Sequence, residues 1–154
     1  MSDSIVHKLL NIDCTEKDFF DAYIEWLEPT HKLTKSEQKY LAACLRNRYE
    51  LSKGITDEIL LDETCMNDVY RTKIREEIGF SPQQSQNVIS KLKKLKMLVA
   101  RKYPFTDKVQ YYKIAPKLIP NYNEDRDFIL VLSFNGKGHS KTSIEGVQPT
   151  DTDN

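Results

Sequence analysis

The sequence predicts a mainly α fold with a small antiparallel β hairpin, an α+β architecture. Three observations carry that expectation. Apolar side chains recur at three- and four-residue spacing in several segments before Lys96, most of them opened by a capping residue. The stretch from Ile74 to Leu95 writes two such helices joined through Gly79. Two short runs rich in Val, Tyr and Ile follow, parted by the turn formers Pro104, Thr106 and Asp107.

Taken in order, Ile5 to Leu10 suggests a short amphipathic turn or helix. Thr15 with Asp18 is a capping signal for a helix from about Glu16 to Leu27, ending before Pro29. Phe19, Phe20, Tyr23, Ile24, Trp26 and Leu27 make it aromatic on more than one face. It should pack on the domain that follows or meet another subunit. Thr34 and Glu37 cap a helix to about Leu51, with Tyr40, Leu41, Cys44, Leu45 and Tyr49 inward and Lys39, Arg46, Arg48 and Lys53 outward. Gly54 stops it. Ile59-Leu60-Leu61 fits a small strand or a helical turn, and Val69, Tyr70, Ile74 and Ile78 mark a helix from about Asn67.

Gly79 suits the left-handed stop of that helix, since it carries no Cβ. Ser81 with Gln84 is a capping box, and Pro82 occupies the first helical position, where its missing N–H costs nothing. Phe80 is expected to pack on the preceding helix. In the new helix Val88, Leu92 and Leu95, with Ile89 beside them, form the apolar stripe. The opposite face carries Gln83, Gln84, Asn87, Ser90, Lys91 and Lys94. Met97-Leu98-Val99 then begins a strand, Arg101-Lys102-Tyr103 carries it outward, and Val109, Tyr111 and Ile114 return it, giving a hairpin tipped with Arg101, Lys102 and Lys108.

From roughly Leu33 to Lys117 the chain resembles the winged helix-turn-helix superfamily, in the style of MarR-like regulators and some plasmid and phage replication proteins. The residues on that pattern are Ile78-Gly79, Ser81, Leu92, Leu95, Leu98-Val99 and Arg101. Met97 departs from it, standing where the family often has glycine. The resemblance implies a helix at 82–96 in the DNA major groove, with Gln83, Gln84, Ser85, Asn87 and Lys91 nearest the bases. Gln and Asn can pair bidentately with adenine, and Ser can serve several base edges. Ser90 and Lys94 share that face, lysines toward its end lie along phosphates, and Arg101, Lys102 and Lys108 of the wing grip flanking phosphate or minor groove.

Charge distribution supports a nucleic-acid partner although the formal net charge is zero. Ser81 to Ile119 holds nine Lys or Arg against the single acid Asp107, a local charge of +8, which leaves −8 on the remainder. Residues 1–30 are acidic, with seven carboxylates against two lysines, which suits a protein-facing role.

The other chemistries have little to stand on. Cys14, Cys44 and Cys65 form no CxxC pair, and His7, His31 and His139 have no metal-ligand spacing, so neither metal nor cofactor is expected. Gly136 to Thr142 superficially suggests a phosphate-binding loop, but Ser140 stands where glycine must precede the lysine. No nucleophile–base or paired-carboxylate constellation suggests an enzyme. No secretory signal pattern opens the chain, and no apolar run approaches the ~20 residues that span a membrane.

The expected organisation is an N-terminal helical extension (1–30), a winged helix domain (31–120), a C-terminal strand (121–134, with its apolar run at 128–134) and a disordered tail (135–154). The function expected is that of a cytoplasmic regulator or replication-associated factor on double-stranded DNA, in a bacterial or phage-infected cell. The alternative is a winged-helix interaction module in a virion or other assembly. Either could oligomerise through the aromatic helix and the 128–134 strand.

Overall fold

A computed structural model describes residues 14–131. The segment from Ile5 to Leu10, residues 132–134 of the expected strand, the glycine-rich stretch at 136–142 and the tail lie outside the described residues. Among the described residues five α-helices precede a two-stranded antiparallel sheet, so the architecture is α+β.

Helix α1 (Glu16–Trp26) starts where the Thr15 side chain accepts the Asp18 N–H. Helix α2 (Lys35–Ser52) opens with a complete capping box between Thr34 and Glu37. Helix α3 (Glu58–Cys65) covers the Ile59-Leu60-Leu61 run. Helix wins over strand there because the Asp57 carboxylate caps the Ile59 and Leu60 N–H groups. Only Leu61 of the three is buried.

Helix α4 (Asp68–Ile78) ends at Gly79 with φ of 77°, and α5 (Pro82–Lys94) follows after Phe80 and Ser81. Strand β1 (Leu98–Lys102) pairs with β2 (Val109–Ile114), Leu98 opposite Ile114 and Arg101 opposite Tyr111, with an irregularity between Arg101 and Lys102. Among the described residues the sheet has no third strand.

One hydrophobic core runs from α1 to the turn after β2. Phe19, Phe20, Tyr23, Ile24 and Leu27 of the α1 segment are all buried in it, α1 lying against α2. Five such side chains represent roughly 10 kcal/mol of gross apolar burial, an upper bound because the unfolded chain already buries some of that surface. The Phe19 ring stacks on Tyr122 at 4.0 Å between centroids, and the Tyr23 hydroxyl donates to the Leu118 carbonyl at 3.0 Å. Burial pushes the Tyr23 phenol well above its ordinary range, which keeps that proton in place. Phe19, Phe20 and Tyr23 thus face the protein's own core, while Trp26 is half-buried.

Two expectations are corrected by packing. Arg48 turns inward from α2: it is 9% exposed and lies 3.0 Å from the buried carboxylate of Asp62 on α3. The Phe80 ring also stacks on Tyr40 of α2. Phe128 to Val131 forms no strand; Phe128 and Leu130 are half-buried, Ile129 and Val131 are exposed, and the Phe128 ring packs edge-on against Phe19 at 5.0 Å. An aromatic contact, not a ladder of backbone hydrogen bonds, holds that segment.

Candidate nucleic-acid interface

The polar face of α5 follows from how the helix is anchored. Val88, Ile89 and Leu92 are buried, which fixes its rotation about its own axis. Gln83, Asn87, Ser90 and Lys94, spaced by four, three and four residues, then form one exposed stripe. Gln83 Nε2 donates to Asn87 Oδ1 at 2.9 Å, an i,i+4 pair that holds both amides on the outer surface. Lysines cluster in the last turn, where they complement the helix dipole.

Three of the expected α5 site residues are engaged elsewhere. Ser85 is 6% exposed and points inward, its hydroxyl 3.4 Å from that of Tyr40. It stands three residues before Val88 and seven before Leu92, on the buried stripe, so it cannot face a groove. Gln84 is exposed, but its Oε1 accepts the Ser81 N–H at 2.8 Å as the returning half of the capping box. Lys91 is half-buried and donates to Glu37 Oε1 of α2 at 2.7 Å.

The hairpin presents its cations differently from the expectation. Arg101, Lys102 and Lys108 are exposed, but they flank the base of the turn, and Tyr103 to Asp107 form its end. Lys102 Nζ lies 3.9 Å from the Asp107 carboxylate, both side chains well solvated, so that pair adds little. Among the described residues no carboxylate lies within ion-pair distance of Lys94, Lys96, Arg101 or Lys108.

Two further lysines join the surface. Lys96 is exposed just past α5 and takes a left-handed backbone with φ of 61°. It occupies the helix stop usually filled by glycine, one residue earlier than the position of Met97 noted in the sequence. Lys93 places its ammonium 3.9 Å from the Tyr112 ring centroid, a cation–π contact between α5 and β2. The burial of Val88 and Leu92 already signalled a cation-bearing edge beside them. The tyrosine partner was invisible without the strand register.

The remaining surface has the opposite sign in several places. Arg46 is held by Glu77 at 2.7 Å and Asp21 at 3.8 Å, so part of the α2 basic face is neutralised by α4 and α1. A cleft of about 530 Å³ between α4, α5 and β2 is lined by Arg71, Lys93 and Tyr112 but also by Glu63 and Asp68. Among the described residues no group of three His, Cys, Asp or Glu side chains could hold a metal ion. Burial pushes the Cys65 thiol up to about 12 and Cys44 higher still, so both stay protonated. No helix among the described residues is long and apolar enough to cross a membrane. No family model, no curated protein and no solved structure matches this chain.

Proposed function

We propose that this chain binds double-stranded DNA as a winged helix-turn-helix protein, serving as a transcriptional regulator or a replication-associated factor. In this reading α5 enters the major groove. Gln83, Asn87 and Ser90 meet base edges, where amide side chains suit adenine. Lys94 and Lys96 follow the phosphates, and Arg101, Lys102 and Lys108 hold the backbone beside the groove. The observation that carries the reading is the exposed Gln83-Asn87-Ser90-Lys94 stripe, continued by cations without carboxylate partners among the described residues.

Fluorescence polarisation against a mixed-sequence duplex at two salt concentrations tests it. Replacing Arg101, Lys102 and Lys108 together by alanine should weaken binding and reduce the slope of log affinity against log salt by about 2.7, or 0.9 per phosphate contact. Absence of salt-dependent binding, or a slope unchanged in the triple variant, would sink the proposal.

A second reading, docking of protein within a virion or other assembly, is favoured by Ile59, Leu60 and Val69, whose side chains on α3 and α4 are largely exposed. A stable hetero-complex on a sizing column, with no affinity for DNA, would select it.

A further inference from the structure

The hairpin ends in an apolar side chain that no described residue covers. Phe105 is 107% exposed, more open than any other large apolar residue described, and Tyr103 beside it is 48% exposed. Phe105 also adopts φ of 64°, a left-handed conformation that glycine takes freely and that a bulky residue takes only under constraint. The turn supplies that constraint. Tyr103 N–H donates to the Lys108 carbonyl at 3.0 Å, Thr106 N–H to the Tyr103 carbonyl at 3.2 Å, and the Thr106 hydroxyl to that same carbonyl at 3.2 Å. The Lys108 N–H returns to the Thr106 hydroxyl at 3.3 Å. Residues 103–108 therefore form a closed loop that holds one phenyl ring outward, flanked by Arg101, Lys102 and Lys108.

The geometry points to Phe105 as a wedge that enters a base step of duplex DNA and unstacks it, an inference that rests on the DNA-binding reading above. The partner must be anionic outside and apolar just beneath, within reach of a single ring. A duplex has that layout, with phosphates at its edge and stacked bases behind them. Apolar side chains inserted between base steps untwist and kink DNA in this way. A lipid surface fits less well, because anchoring there needs more apolar area than one Phe and a half-exposed Tyr. A preformed loop also spares the ordering cost of insertion.

Insertion untwists DNA whatever the sequence, so the probe is a relaxed closed-circular plasmid with type I topoisomerase, to which the full chain is added. The wild-type protein should lower the linking number after relaxation. Phe105→Ala should keep salt-dependent binding within about tenfold of wild type, a difference of 1.4 kcal/mol, yet lose most of the linking-number change. Phe105→Leu, an alternative wedge, should restore it. Wild-type binding without a linking-number change, or an undiminished change in Phe105→Ala, overturns the wedge and leaves the DNA-binding reading intact. No DNA binding at all overturns both. Binding to phosphatidylserine-rich vesicles that depends on Phe105, with no untwisting of DNA, overturns the wedge in favour of a membrane.

Discussion

Glu37 does two jobs with one carboxylate, and substitutions can separate them. Its Oε1 accepts the Thr34 N–H at 2.8 Å, completing the α2 cap, and accepts the Lys91 ammonium at 2.7 Å, tying α2 to α5. Its side chain is 16% exposed and that of Lys91 is 34% exposed, so screening is partial and the pair contributes at most about 1 kcal/mol. The cap contributes about 1 kcal/mol more. Glu37→Gln keeps an oxygen for Thr34 and loses the ion pair; it should destabilise by about 1 kcal/mol. Glu37→Ala loses both and should cost about 2 kcal/mol, lowering the melting temperature by roughly 6 °C.

The pH dependence has a defined sign. Burial pushes the Glu37 carboxyl up, but the hydrogen bond from Lys91 and that from the Thr34 N–H outweigh it, and its folded pKa lies below the ordinary value. The contribution is therefore complete above the unfolded pKa of about 4.3 and is lost as pH falls through the lower folded value. Urea titrations at neutral and acid pH should show a shallower acid limb in Glu37→Gln than in wild type. Freed from Glu37, Lys91 can reach a phosphate, which would steepen the DNA salt slope by about 0.9. Equal urea midpoints and equal acid limbs would refute the ion-pair argument. A changed stability with an unchanged salt slope would refute only the release of Lys91.

Two other substitutions probe the site and its support. Ser85→Ala should leave DNA affinity within about twofold, whereas Asn87→Ala should weaken it by about tenfold, 1–3 kcal/mol being usual for a lost bidentate base contact. Polarisation titrations of both variants on one duplex decide the matter, and an equal loss in the two would contradict the inward placement of Ser85. Lys96→Gly should stabilise the fold by about 0.5–1 kcal/mol by relieving the left-handed backbone at that helix stop. A lower melting temperature in Lys96→Gly would overturn that account.

The helix boundaries were legible wherever a side chain closes its own backbone. Thr34 with Glu37 and Ser81 with Gln84 form reciprocal caps, and Gly79 takes the left-handed stop that its lack of a Cβ allows. What escaped was set by tertiary partners. Ser85 sits on the apolar stripe by spacing, but its polarity suggested the outer face until Tyr40 supplied a hydroxyl. Arg48 reads as surface charge until Asp62 appears on a different helix. Phe128 to Val131 has strand-like composition, and the rings of Phe19 and Tyr23 hold it without any strand neighbour. The α5 stripe was largely readable because periodicity alone decides which residues face away from Val88 and Leu92. The left-handed backbone of Phe105 within the expected turn was not, since turn geometry depends on the strand register.

The hydrogen bond from Tyr23 to Leu118 spans 95 residues of sequence. On a ribosome adding roughly 5–20 residues per second, the ring of Tyr23 precedes its acceptor by about 5–20 s. Throughout that interval the emerging α1 carries Phe19, Phe20 and Tyr23 without the Leu118–Phe128 segment that finally encloses them. The part of α1 that meets this segment therefore closes last in synthesis, after the face that packs on α2.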